Sequence, residues 1–225
     1  MNRFIAHTRA IFLKDLKHEF RTRETFLSMF IFGILILTLF NFSFQNISSN
    51  AAELTSGILW VTFTFAGILG LNRTLAIEKE NSGLEALLSS AVSPSAIFLG
   101  KMLTNFFFMI LSQLCLIPCF IVLFNIPIGI YFHKLFLINL IATLGFASVG
   151  TLFSTIAMHT RMRDVFLPLL LCPVIVPILI GAVECYREIL FHEWTWNSAW
   201  FKLLIGYDVI FFSVSIMIFD YVLED

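Results

Sequence analysis

Six long apolar runs dominate this sequence, and they contain almost no charged residues. Hydrophobic residues make up 59% of the 225 residues and charged residues 13%, whereas soluble domains hold about 45–50% and about 25%. A membrane-spanning helix needs about 20 mostly apolar residues. The runs are continuous rather than alternating, which favours helices over the strands of a membrane barrel. We therefore predict an all-α integral membrane protein with six transmembrane helices, at residues 26–44, 54–71, 102–124, 135–158, 165–183 and 201–219.

The same composition excludes several classes of protein. A soluble enzyme or a disordered chain would need far more charge, and a net charge of −1 supplies no basic field for nucleic acid. Residues 95–102 come closest to a nucleotide-binding loop but lack its first glycine and its Ser or Thr. Cys115 and Cys119 share a helical face, yet a structural zinc needs four ligands. We expect no catalytic residue, metal site or bound cofactor, so energy must come from a partner or a gradient.

The positions of the lysines and arginines predict the orientation. Eleven of them lie in residues 1–25, 72–101 and 159–164, and three lie in the segments on the other side. Basic residues concentrate on the cytoplasmic side of membrane proteins, so we expect both termini in the cytoplasm. Residues 1–25 then form a cytoplasmic arm and residues 26–225 a six-helix transmembrane domain.

The N-terminal arm has the pattern of an amphipathic helix. Apolar residues recur near helical spacing, and Lys14, Lys17, Arg21 and Arg23 lie between them. Such a helix is suited to the inner membrane interface, in contact with lipid. It could serve as a simple topology anchor, as a specific contact with a partner, or as both.

The cytoplasmic connection at residues 72–101 is the most informative segment. Its acidic residues precede a short amphipathic stretch at 84–88, and Pro94 limits that stretch because the residue before a proline avoids helix. A bare turn needs only a few residues. We therefore predict a hairpin that docks on a soluble partner, although a merely solvated loop is the alternative. The candidate docking residues are Glu78, Glu80, Gly83, Leu84, Glu85, Leu87 and Leu88.

The fifth run contains Pro168, Pro173 and Pro177. Each proline removes a backbone donor and clashes with the preceding turn, so we expect a kinked helix. The kink could mark a moving part or only shape the packing.

The fourth run carries small residues between Gly145 and Ser154, which permit close approach of helices. They could contact a partner or a second copy of the chain, as in a homodimer, or pack within the chain.

Asp208 is the one carboxylate deep inside a run. Ionisable groups in spans often mark transport pathways. Asp208 could be protonated or paired with another helix, and it is too far along the helix from Lys202 for an i,i+4 pair. A gradient-driven carrier that uses Asp208 is therefore a minor alternative.

The connection resembles that of type-2 ABC exporter permeases, in which an acidic, glycine-containing stretch precedes a Leu-Leu pair, a proline and a Gly-Lys pair. The matching residues here are Glu78, Glu80, Gly83, Glu85, Leu87, Leu88, Pro94, Gly100 and Lys101. Within that group, nearly the whole chain resembles the CcmB family of haem-exporter permeases. Residues 57–61, the proline-rich stretch 167–181 and the ending 200–211 carry this resemblance.

The resemblance implies a permease subunit in the bacterial inner membrane that acts in cytochrome c maturation. It implies four partners, namely an ATPase (CcmA), a haem-handling membrane protein (CcmC), a small membrane protein (CcmD) and a haem chaperone (CcmE). The complex would export haem or release the haem-loaded chaperone, with haem as a substrate. A non-transporting scaffold subunit is the alternative. The resemblance assigns no role to His133 or His192, which lie on the outer side.

Overall fold

The computed structural model contains helices as its regular elements throughout the part of the chain it describes. The described residues are 2–44, 51–80, 92–126, 131–158, 160, 162–191 and 195–222. The helices found there are α1 (Asn2–Thr22), α2 (Glu24–Phe44), α3 (Ala51–Glu80), α4 (Pro94–Phe124), α5 (Phe132–Met158), α6 (Arg163–Phe191) and α7 (Ala199–Val222).

Helices α2 to α7 are each long and apolar enough to cross a membrane. This confirms the prediction of an all-α membrane protein with six spans. The central pair is α3 and α5, because 72% of the apolar stretch of each is buried inside the bundle, against 22% for α2. The other helices surround this pair and turn apolar faces outward, as membrane helices do.

Two helix boundaries differ from the sequence prediction. The predicted second span stops at residue 71 and the third starts at 102, but α3 continues to Glu80 and α4 begins at Pro94. Hydropathy marks only the part of a helix that lies in lipid, and these helices extend beyond it. At 30 and 31 residues, each is about 45 Å long, whereas the hydrocarbon core is about 30 Å thick. Pro94 therefore starts a long helix, a position that suits its fixed φ.

A sharp joint separates α1 from α2. Arg23 has a positive φ of 58° and breaks the helix. The buried carboxylate of Glu19 then caps α2, because it accepts hydrogen bonds from the backbone N–H of Thr25 at 2.7 Å and of Phe26 at 3.0 Å. It also accepts one from the Thr25 hydroxyl at 2.8 Å. The Glu19 carboxylate therefore ties the end of α1 to the start of the first span.

Helix α1 runs alongside the beginning of α4. Its contacts advance in step along both helices, from Thr8 against Ala96 to Phe20 against Phe107 and Phe108. Gly100 allows this approach, since a Cβ there would lie 2.9 Å from the Cβ of Ile11. The predicted amphipathic arm is thus a helix whose inner face packs on the bundle.

The small residues of the fourth span lie inside the chain. Gly145 faces Asp208 and Gly150 faces Leu71, so these glycines admit side chains from α7 and α3. Ser148, Thr151 and Ser154 are buried on the same helix. Of the two alternatives from the sequence, packing within the chain describes these residues, and a homodimer would need another surface.

Helix α6 continues as one helix through Pro168, Pro173 and Pro177. Beside the prolines, the hydroxyl of Tyr207 in α7 donates a hydrogen bond to the carbonyl of Val174 at 2.6 Å. The proline region is therefore tied to α7, and its role as a moving part stays a prediction.

Candidate functional site

The two ends of the predicted docking connection lie side by side at one end of the bundle. This is the end that the basic residues predict to be cytoplasmic, and it is called the inner end below, with the opposite end called the outer end. Glu78 is in the last turns of α3, and Lys101 is in the third turn of α4. Glu80 ends α3. The remaining docking candidates, Gly83, Leu84, Glu85, Leu87 and Leu88, lie outside the described residues. Their docking role stays a prediction.

Lys101 is the centre of a buried ion network. Its ammonium group donates to Asp15 Oδ2 at 3.2 Å and to Glu78 Oε1. The side chain of Lys101 is only 7% exposed, and those of Asp15 and Glu78 are 17% and 14% exposed. The network therefore joins α1, α3 and α4 at one point.

The charges of this network nearly balance. Lys14 lies 3.3 Å from the other carboxylate oxygen of Asp15, so two lysines face two carboxylates. A buried ammonium group without partners would be very costly, and these contacts supply its partners. The family resemblance assigned Glu78 and Lys101 to a docking motif. In the structure they bind each other and hold the end of α3 next to the start of α4.

The start of α4 also contacts α7. The hydroxyl of Ser95 donates to Asp220 Oδ1 at 3.0 Å, and the rings of Phe98 and Phe219 lie 5.1 Å apart between centroids. Because Ser95 lies one residue after Pro94, the same short segment touches the last turn of the final span. The base of the connection is thus in contact with α1, α3 and α7.

Three neutral hydrogen-bonded pairs continue deeper in the bundle from the ion network. They are Asn105 with Thr151 at 2.9 Å, Gln113 with Thr143 at 2.9 Å, and Tyr186 with Asn139 at 2.6 Å. The first two pairs join α4 to α5, and the third joins α6 to α5. In a bilayer such pairs hold helices in one register.

Sequence reasoning missed these pairs, although the signal was present. Residues 101, 105 and 113 of α4 repeat with intervals of four and eight, and so do residues 139, 143 and 151 of α5. At 3.6 residues per turn, positions eight apart are rotated by about 80°, so residues 105 and 113 lie on one side of α4 and residues 143 and 151 on one side of α5. Two matching polar stripes in apolar helices therefore indicate helices that pair.

Asp208 is buried against α5. A Cβ on Gly145 would collide with Asp208 Oδ1, and that oxygen has no hydrogen-bond partner within the described part of the chain. Lys202 is exposed near the outer end of the same helix. The use of Asp208 by a gradient-driven carrier, the minor alternative from the sequence, stays a prediction.

The predicted basic residues of the arm are all exposed. Lys14, Lys17, Arg21 and Arg23 all lie on the exposed surface of the protein, and Lys14 also contacts Asp15. His133, on the outer side, is also exposed, whereas His192 lies outside the described residues. Among the described residues, no group of three or more His, Cys, Asp or Glu side chains is placed to hold a metal ion.

Comparisons with known proteins agree with the resemblance seen in the sequence. The family model described as CcmB protein matches residues 6–223. A protein of Rhodobacter capsulatus named Heme exporter protein B is 28% identical over 180 residues, which cover 80% of this chain and 82% of that relative. A protein of the same name from Paracoccus denitrificans is 25% identical over 180 residues, with the same coverage of both chains. The chain, a multi-pass membrane protein, therefore belongs to the CcmB family.

Proposed function

We propose that this chain is the permease subunit of an ABC transporter complex that acts in cytochrome c biogenesis. The names of its relatives support a membrane component of a haem export system. The observation that carries the proposal is the buried Lys101 network, which anchors the base of the connection to several helices. A merely solvated loop would not need such a base.

In this proposal the tip of the connection, residues 84–88, makes the contact with the ATPase. Leu84, Leu87 and Leu88 supply apolar side chains for a groove on the ATPase, and Glu85 supplies a charge for basic residues around it. Glu78 has a different part, since its carboxylate already binds Lys101. In this proposal Glu78 transmits force and does not touch the ATPase.

Transmission follows the contacts at the base of the connection. When the ATPase shifts the tip, the end of α3 and the start of α4 move together because Glu78 and Lys101 bind each other. Asp15 carries that movement to α1, and the Glu19 cap carries it to α2. Coupling of this kind requires contacts that differ between two states, and the proline-rich α6 is the candidate for the second moving element.

The expected partners are those of the family. They are a CcmA-like ATPase, a CcmC-like haem-handling protein, a CcmD-like small membrane subunit and a CcmE-like haem chaperone. We place the complex in the bacterial inner membrane with both termini of this chain in the cytoplasm, as the eleven basic residues on one side indicate. Haem is then a substrate of the complex.

The docking assignment is tested by recruitment of the ATPase. We expect Leu88→Asp and Glu85→Lys to abolish co-purification of the ATPase while the six spans still insert. Met162→Asp is the matched control, since Met162 is an exposed apolar residue in the other inner connection, and it should leave recruitment unchanged. If both connection variants retain the ATPase, the docking assignment is wrong.

A flux measurement separates transport from scaffolding. Proteoliposomes that contain all partners should move haem in an ATP-dependent way if the complex transports it. Release of the chaperone without haem flux would identify a scaffold subunit instead. If the chain is a gradient-driven carrier, Asp208→Asn should abolish activity and the connection variants should leave it intact.

A further inference from the structure

The second half of α1 presents only positive charge to its surroundings. Lys14, Lys17, Arg21 and Arg23 are exposed. The two acidic residues of this segment point the other way, because Asp15 binds Lys101 and Glu19 caps α2. Lys14 contacts Asp15 with its ammonium group, yet its side chain remains 55% exposed. The sequence of this segment mixes both signs of charge. In the fold, the acidic side chains lie on the side of α1 that faces the bundle, and the basic side chains lie on its exposed side.

An apolar stripe lies beside the basic one on the same outward surface. Leu13 and Phe20 are 46% and 53% exposed, and residues seven apart share a stripe on a helix. Lys14, Lys17 and Arg21 are spaced by three and four residues, which places them on a neighbouring stripe. A helix surface with adjacent apolar and basic stripes is typical of a helix in the headgroup region of a bilayer.

The position of this half-helix matches the inner boundary of the membrane. Phe20 packs against Phe107 and Phe108 of α4, near the start of the apolar run of α4. One residue, Arg23, separates α1 from the first residue of α2. Because this short connection to the first span keeps α1 beside the bilayer, the effective concentration of lipid at this surface is very high. A soluble acidic protein has no comparable advantage.

We propose that Leu13, Lys14, Lys17, Phe20 and Arg21 form a binding surface for anionic phospholipid. Phe20 enters the boundary between headgroups and acyl chains, and Leu13, about 10 Å back along α1, lies among the headgroups. The basic side chains bind the phosphate groups. Anionic lipid of the inner leaflet then contacts the exposed side of α1, opposite the Asp15–Lys101 contact. It holds α1 against α4.

The test measures lipid preference with the purified full-length chain. The protein is placed in nanodiscs of equal parts phosphatidylglycerol and phosphatidylcholine, and the lipids retained after mild detergent extraction are counted by native mass spectrometry. We expect phosphatidylglycerol to be enriched on the wild type. Each basic side chain near a membrane surface contributes about fivefold to binding of anionic lipid, so the triple variant Lys14→Gln/Lys17→Gln/Arg21→Gln should lose at least about tenfold of that preference.

Controls distinguish this surface from general charge. Lys202→Gln removes a single exposed basic residue at the other end of the bundle, so it should lose at most about the fivefold of one side chain, less than the triple variant. Leu13→Asn should weaken retention of both lipids. Gel-filtration profiles and thermal unfolding of each variant report whether it is folded. Equal enrichment of phosphatidylglycerol on the folded triple variant and the wild type would overturn the proposal, and so would an equal loss in Lys202→Gln.

Discussion

The inner end and the middle of the bundle are held together by different chemistry, although α4 takes part in both. At the inner end, Lys101 binds two carboxylates from α1 and α3. Four and twelve residues further along, Asn105 and Gln113 make neutral hydrogen bonds to threonines of α5. One helix therefore changes from charged to neutral contacts as it enters the membrane.

The difference follows from the cost of burying charge. Charged groups are expensive in hydrocarbon, so the deep contacts are amides and hydroxyls that fix helix register. Near the inner boundary a charge can be kept when its partners are close. There the ion network binds segments that are far apart in sequence, since Asp15 and Lys101 are separated by 86 positions. We infer that the charged end is the part through which movement enters the bundle.

The largest expected effect comes from removing the central charge. Lys101→Met leaves the buried carboxylate of Glu78 without a cation and Asp15 with Lys14 alone, and breaking a buried pair in this way costs about 3–5 kcal/mol. The free energy of unfolding in detergent, from denaturant titration, measures the loss. Lys202→Met is the control, and as an exposed substitution it should change stability by less than about 0.5 kcal/mol.

A variant in which the ion network is neutralised tests whether uncompensated charge causes that loss of stability. The triple variant Asp15→Asn/Glu78→Gln/Lys101→Met has no uncompensated buried charge, since the remaining Lys14 is 55% exposed, so it should be more stable than Lys101→Met alone. If Lys101→Met is as stable as the Lys202→Met control, the ion network does not hold the inner end together.

The neutral pairs should give an intermediate effect. Hydrogen bonds between membrane helices contribute about 0.6 kcal/mol on average and at most about 1.7 kcal/mol. A double-mutant cycle with Gln113→Leu and Thr143→Val isolates this coupling energy for one pair. A coupling energy as large as the loss in Lys101→Met would contradict the distinction between the two regions.

The smallest effect should come from an exposed ion pair at the same inner level. Arg73 of α3 binds Glu24 at the start of α2, and their side chains are 41% and 44% exposed. Surface ion pairs contribute about 0–1 kcal/mol, so Arg73→Gln should cost little. The cost should fall further in high salt because salt screens exposed charges. A loss above about 2 kcal/mol that salt leaves unchanged would show that burial does not separate the two ion sites.

Most of the fold could be predicted from the sequence because hydropathy reports directly on the lipid environment. The six spans and the helical arm follow from continuous apolar runs and from the spacing of residues 14, 17 and 21. The ends of α3 and α4 did not follow, since residues 72–80 and 94–101 are helical outside the apolar runs. The joint at Arg23 was also hidden, because a non-glycine residue rarely adopts positive φ.

The candidate site was predicted only in part. The pattern of Glu78 and Lys101 drew attention to this segment, whose docking role stays a prediction, but a linear motif cannot show that its two ends bind each other. Nor can it show that Asp15 joins them, since that contact depends on how α1 packs beside α4. The stripes at residues 105 and 113 and at 143 and 151 were visible in the sequence, and their spacing could have predicted the α4–α5 pairing.

We propose that the tip of this connection binds a separate ATPase on the inner side of the membrane. Photo-crosslinking in native membranes tests it most directly, with a photoreactive amino acid in place of Leu88 and, as a control, in place of Ile180, which is exposed on the apolar surface of α6. We expect position 88 to form an adduct with a nucleotide-hydrolysing subunit and position 180 to form none. The absence of that adduct, or labelling of a cysteine at position 88 by a membrane-impermeant reagent from the outer side, would contradict it.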